Sequence, residues 1–238
     1  MSTTTLDRRL AVADSVPCYL TGPLDGDHSS SVVVLPELFG LTPHVLAVCD
    51  RLADAGAEVV CPDLFHRTPG AMVLPESEAG RATGLDALGS LTADQLVEDV
   101  RAAASLLSRP VSECGLLGLS VGGYAGFLAA VELPLARIAL AYPGWLTSTT
   151  PPISSRLRAI DSLGKVEGGL LVVVGGEDRL IQPEEQAMLQ RALTTEGHDT
   201  LLLPGVGHGF LSPAREAYDA EAADRAWRRI LAHLDLGG

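Results

Sequence analysis

Gly118-Leu119-Ser120-Val121-Gly122-Gly123 constrains this chain more than any other stretch. The apolar run Cys114 to Leu117 leads into it, and an apolar, Gly/Ala-rich segment follows. The whole reads as a strand, a sharp turn carrying one hydroxyl, and a helix. A G-x-S-x-G turn holds its serine in a strained backbone conformation that lifts Oγ above the sheet edge. The glycines remove side chains that would strike the neighbouring strand and helix. The helix start adds N–H groups aimed at negative charge developing beside the hydroxyl. Gly/Ser-rich turns of this kind also occur as plain structure, so the meaning depends on what else the chain supplies.

Two further segments supply it. Gly169 to Val174 is an unbroken apolar run, and Gly175-Gly176-Glu177-Asp178 follows directly, placing Asp178 on the loop after a buried strand. Thr200 to Leu203 reads as a short strand, with Pro204-Gly205-Val206-Gly207-His208-Gly209-Phe210 as the loop after it. Its three glycines let the backbone carry His208 back across the sheet edge. Ser120, Asp178 and His208 thus stand in the nucleophile, acid, histidine order of α/β-hydrolases, each after a different strand. Glu177 is the nearest rival for the acid, since helix capping is better served at Pro183 with Glu184 and Glu185 behind it. None of the other five histidines has a glycine on both sides, and only His66, on a loop after a strand, is a reserve candidate for the base.

Composition narrows the classes. A formal charge of -13 and a pI near 4.8 argue against nucleic acid or an anionic membrane surface as partner. Arg225, Arg228 and Arg229 on the last helix read as a solvated face. Met1 to Arg9 is polar and lacks the apolar segment of a secretory signal, and no stretch has the length of a membrane span, so a cytoplasmic protein is expected. Cys18, Cys49, Cys61 and Cys114 show no paired metal spacing and read as buried free thiols.

Along the chain, apolar runs alternate with amphipathic helical segments. Strands are expected over 31–35, 58–61, 113–118, 136–141, 169–175 and 199–203. Helices are expected over 43–55, 92–108 (opened by a Thr92/Gln95 capping box), 122–132, 183–196 and 213–235. Apolar strands separated by helices imply an α/β fold with a mostly parallel sheet covered on both faces. At 238 residues, 47% of them hydrophobic, one domain over 1–238 is expected. Residues 66–91 and 144–168 read as long binding loops or lids.

Leu35-Pro36-Glu37-Leu38-Phe39-Gly40, Cys61-Pro62-Asp63-Leu64-Phe65, the Ser120 turn, Gly176-Glu177-Asp178 and Gly207-His208-Gly209-Phe210, in that order, resemble the dienelactone hydrolase family of α/β-hydrolases. The resemblance covers about residues 15 to 235. It implies a twisted, mostly parallel sheet of seven or eight strands with no separate cap domain. It also implies cleavage of a small carboxylic ester or lactone without a cofactor, by a monomer or homodimer. By the same resemblance Glu37 sits beside the nucleophile, and the backbone N–H groups of Leu38 and Val121 form an oxyanion hole. Phe39, Phe65, Tyr142, Trp145 and Phe210, all at strand ends, are candidates to line the acyl pocket, with core packing the competing explanation for each.

Two departures from the family stand out. Its best-known members carry cysteine where this chain has Ser120, and a serine hydroxyl needs His208 as general base where a thiol can be held as thiolate. Dienelactone hydrolases also grip a substrate carboxylate with an arginine shortly after the histidine, where this chain has Ser212. Arg81 and Arg215 are candidate substitutes, and without one of them a neutral or larger apolar acyl group is expected. A thioesterase, a peptidase or a biosynthetic lactonase or cyclase would use the same three residues, and a non-catalytic small-molecule binding protein is the alternative outside enzymes.

Overall fold

The computed structural model of the protein describes residues 6–24, 26, 28–68, 73–153 and 158–237. Eight strands form one sheet: β1 (Leu6–Ala13), β2 (Val16–Pro23), β3 (Ser30–Leu35), β4 (Ala57–Pro62), β5 (Gly115–Leu119), β6 (Arg137–Ala141), β7 (Gly169–Gly175) and β8 (Asp199–Leu203). Their spatial order is β1-β2-β4-β3-β5-β6-β7-β8. β2 runs against both neighbours, and every pairing from β4 through β8 is parallel. β3 and β5 to β7 are almost wholly apolar because both faces are covered.

Helices α1 (Pro43–Asp54) and α6 (Ala220–His233) lie on one face, where Arg51 stacks 4.6 Å from the Trp227 ring centroid. The other face carries α3 (Ala93–Ala104), α4 (Val121–Glu132) and α5 (Pro183–Thr195). Local signals set their ends. Thr42 caps α1 by accepting from the Val45 N–H, with Pro43 at the first helical position. Thr92 and Gln95 close the expected capping box on α3. α5 opens at Pro183 with Glu184 and Glu185 in its first turn.

The strand order reverses at β3. β4 lies on one side of it and β5 on the other, so the loops leaving β3 and β5 diverge from adjacent strand ends and open a crevice there. All four cysteines are buried and free, as expected. Among the described residues, no helix is long and apolar enough to cross a membrane.

Three stretches differ from the sequence reading. The β1–β2 hairpin was not anticipated, because β1 is an edge strand with Leu10 and Val12 exposed, which blurs its alternation. α2 (Glu78–Gly89) fills most of the stretch read as a loop over 66–91, its three glycines having masked a helix that is only weakly amphipathic. The last helix begins at Ala220 rather than 213. Residues 212–218 instead form turns, with the Arg215 N–H donating to Ser212 and the Tyr218 N–H to Arg215. In the 144–168 stretch a 3-10 helix spans Ala159–Lys165, and residues 154–157 lie outside the described set.

Candidate active site

Ser120 occupies the turn between β5 and α4 with φ 52° and ψ -112°, a conformation non-glycine residues rarely hold. Bare backbone around it makes the turn possible. A Cβ on Gly122 would stand 2.2 Å from the Leu35 carbonyl oxygen, and one on Gly118 would stand 2.3 Å from that of Gly122. The elbow therefore packs directly on the end of β3, as the G-x-S-x-G pattern requires.

From this turn a hydrogen-bonded chain runs through the loops after β8 and β7. Ser120 Oγ lies 2.9 Å from His208 Nε2, and His208 Nδ1 lies 2.8 Å from Asp178 Oδ2. The Asp178 side chain is fully buried, and its other oxygen accepts from the Leu180 N–H at 2.8 Å. Two acceptor positions filled in this way fix the carboxylate, which in turn fixes the imidazole. Glu177 is exposed and makes no hydrogen bond to His208 among the described residues. His66 is engaged with the buried Asp99 at 3.3 Å, beside Arg67.

The loop after β3 brings the second half of the site. Glu37 is buried and accepts from the Tyr142 hydroxyl at 3.1 Å and from both terminal nitrogens of Arg215. Arg215 also reaches Glu76 at 3.2 Å. Burial pulls the Arg215 guanidinium down, but Glu37 and Glu76 outweigh it and leave it above its ordinary value. Tyr142 packs edge-on against the His208 ring, 5.0 Å between centroids, so one side chain touches both halves of the site. Burial, reinforced by Glu37, pushes its phenol well above the ordinary range. Leu38 and Val121 line the same cleft as Ser120, and neither backbone N–H is donated to a protein acceptor among the described residues.

Ser120 and His208 open onto a cleft of about 230 Å³. Phe39, Leu85, Trp145 and Leu180 give it an apolar wall, and Arg81 and Arg215 bring charge. Of the five aromatic candidates, Phe39 and Trp145 therefore line the cleft. Phe65, Tyr142 and Phe210 do not: all three are essentially fully buried, with Tyr142 and Phe210 packed against each other beneath the histidine. They belong to the core that supports the site. Leu85 and Leu180 were missed. Leu85 lies one helical turn after Arg81 on the unanticipated α2, and Leu180 directly follows the Asp178 loop. Arg81 and Arg215, the two candidates for holding a substrate carboxylate, both line the cleft. Arg215 is consumed by two carboxylates, whereas the Arg81 side chain has no ion-pair partner among the described residues.

The family model for the dienelactone hydrolase family matches residues 16–235. The chain belongs to this family. It is accordingly a hydrolase of the carboxylic ester class. A protein named "Putative carboxymethylenebutenolidase" from Synechocystis sp. is 29% identical over 223 residues, covering 89% of this chain and 88% of the relative. One of the same name from Escherichia coli is 29% identical over 225 residues, covering 92% of this chain and 81% of the relative. Among solved structures, a crystal structure titled "Putative Dienelactone Hydrolase" from Klebsiella pneumoniae superposes with a TM-score of 0.86 at 20% identity, covering 97% of this chain and 99% of the other. At that identity the superposition establishes the fold alone.

Proposed function

We propose that this dienelactone hydrolase relative cleaves a small-molecule carboxylic ester or lactone through an acyl-enzyme on Ser120. The unbroken hydrogen-bonded chain from Ser120 through His208 to Asp178, at 2.9 and 2.8 Å, carries the reading. His208 Nε2 takes the hydroxyl proton as Oγ attacks the substrate carbonyl, and Asp178 holds the ring in the tautomer that leaves Nε2 free to accept. The carbonyl oxygen becomes an oxyanion between the N–H groups of Leu38 and Val121. His208 returns the proton to the departing alkoxide, then activates a water that releases the acid and frees Ser120. In a lactone the leaving oxygen remains attached, and the product is a hydroxy acid. Residues 1–238 carry this chemistry as one domain.

Glu37 takes no part in proton transfer on this reading. Its carboxylate is paired with Arg215 and hydrogen-bonded by Tyr142, an arrangement suited to holding the Leu38 turn. The substrate's acyl portion is compact and apolar next to Ser120, matching Leu85, Trp145 and Leu180. One observation favours a second version: Arg81 lines the cleft and has no ion-pair partner among the described residues, which suits an acyl chain ending in a carboxylate. The test is labelling with a fluorophosphonate followed by peptide mapping. Modification at Ser120, lost in Ser120→Ala, is expected, and modification elsewhere refutes the assignment.

A further inference from the structure

We propose that Gly84 is a positioning residue for the backbone N–H of Leu38, an inference that rests on the acyl-transfer reading above. α2 crosses the Glu37-Leu38 turn at very short range. A Cβ on Gly84 would stand 2.9 Å from the Leu38 carbonyl oxygen, 2.9 Å from its Cγ and 3.1 Å from its Cδ1. The carbonyl is backbone and cannot swing aside as a side-chain tip can. Any side chain at 84 therefore moves the helix or the turn.

The same segment holds the turn at two other points. Val73 and Gly40 form an antiparallel bridge, and the Leu74 N–H donates to the Phe39 carbonyl at 3.0 Å. Glu76, just before α2, holds Arg215, which in turn holds Glu37. Residues 73–89 thus grip turn 37–40 from one side, and Gly84 is where the grip meets Leu38 itself. The same stretch of helix carries Arg81 and Leu85 to the cleft wall. The spacing at Gly84 consequently sets two things together: where the Leu38 N–H points relative to Ser120, and how far the acyl wall stands from it. Glycine is a poor helix former, so its place inside α2 calls for a packing reason. Gly89 in the same helix is under no such constraint, since the nearest atom to its Cβ would be 3.7 Å away.

Hydrogen bonds to a developing oxyanion weaken steeply with misalignment, so a turn displaced by a fraction of an ångström loses transition-state binding before ground-state binding. The test compares Gly84→Ala with Gly89→Ala by kcat, KM and inhibition by a trifluoromethyl ketone, whose adduct with Ser120 places an oxyanion where the carbonyl oxygen develops charge. Gly84→Ala is expected to lower kcat and weaken the ketone in parallel by about tenfold while KM stays within about twofold, and Gly89→Ala is expected to change neither. A purely structural glycine would reduce the yield of folded protein while leaving kcat per folded molecule and ketone affinity intact, and that result overturns the proposal. Leu38→Ala keeps the N–H but removes Cγ and Cδ1, so alanine at 84 should do less harm in that background. If Gly84→Ala does not fold alone, the same change in the Leu38→Ala background decides, measured against Leu38→Ala: a further parallel loss of kcat and ketone affinity, through the remaining contact with the Leu38 carbonyl, supports the proposal, and no further change overturns it. Failure of the underlying reading looks different, because Ser120→Ala would then retain turnover. With Ser120→Ala inactive and Gly84→Ala fully active, only the role of Gly84 falls.

Discussion

Arg215 holds both carboxylate oxygens of Glu37, Nη1 reaching Oε1 across 3.3 Å and Nη2 pairing with Oε2. Tyr142 adds a third donor, and Glu76 steadies the guanidinium from behind. A buried carboxylate held in this way is a structural anchor for the turn that presents Leu38. Glu37→Gln keeps its shape and is expected to reduce kcat/KM only about 10-fold, or roughly 1.4 kcal/mol. Arg215→Ala leaves the Glu37 charge buried and unpaired and should cost stability on the order of 3 kcal/mol, measured by urea unfolding. A Glu37→Gln loss as large as that of Ser120→Ala would make Glu37 a proton carrier.

Ser120→Ala and His208→Ala should each abolish ester turnover with the melting temperature little changed, and the double variant should be hardly worse than either, because the residues act as one unit. Asp178→Asn should lose on the order of 10,000-fold, by analogy with the equivalent change in a serine protease. The exposed Glu177 should tolerate glutamine with a mild effect. Steady-state kinetics on a chromogenic ester distinguishes these cases, and the reverse order for 177 and 178 would move the acid by one residue.

Arg81 separates the two substrate versions. Paired p-nitrophenyl esters of equal length, one ending in methyl and one in carboxylate, should respond differently to Arg81→Ala. The carboxylate ester should lose about 10-fold in kcat/KM, while the neutral ester stays within about twofold. Equal responses would assign Arg81 to the solvated surface of α2.

The three residues on strand ends are legible in the sequence alone. A serine between glycines, an aspartate after an apolar run and a histidine in a glycine-rich loop each carry a local backbone signature, and in the structure His208 hydrogen-bonds to both of the other two. The parallel strands were equally plain, since burial on both faces leaves continuous apolar runs. What escaped was decided by tertiary contact. α2 is glycine-rich where it presses on Leu38 and Pro75, so its close packing erases its helical signal. Tyr142 and Trp145 stand three residues apart on one strand-end loop, both with positive φ, yet one lies beneath His208 and the other on the cleft wall. No spacing rule distinguishes those positions. Arg215 reaches Glu37 only because residues 212–218 form turns where helical periodicity had been expected.

Stability should fall on acidification below about pH 6.5. Burial lowers the folded-state values of His44 and His233, the latter seated on the Gly169 carbonyl at 3.0 Å. A histidine depressed in the folded state is neutral in both states at high pH. As pH drops below its ordinary value, the unfolded chain binds the proton first, and stability is lost progressively toward the folded-state value. His233→Gln should flatten part of the decline in melting temperature between pH 7.5 and 5. An unchanged slope in that variant would show that His233 does not carry this linkage.

A trapped acyl-enzyme would locate the nucleophile at Ser120. The protein is mixed with a p-nitrophenyl ester, quenched in acid during turnover and weighed intact, and its peptides are then mapped. A population heavier by one acyl group is expected, with the added mass on the peptide containing Ser120, and no such species in Ser120→Ala, which turns over no ester. An unmodified Ser120 in a protein still cleaving the ester, with Ser120→Ala as active as the parent, would contradict it.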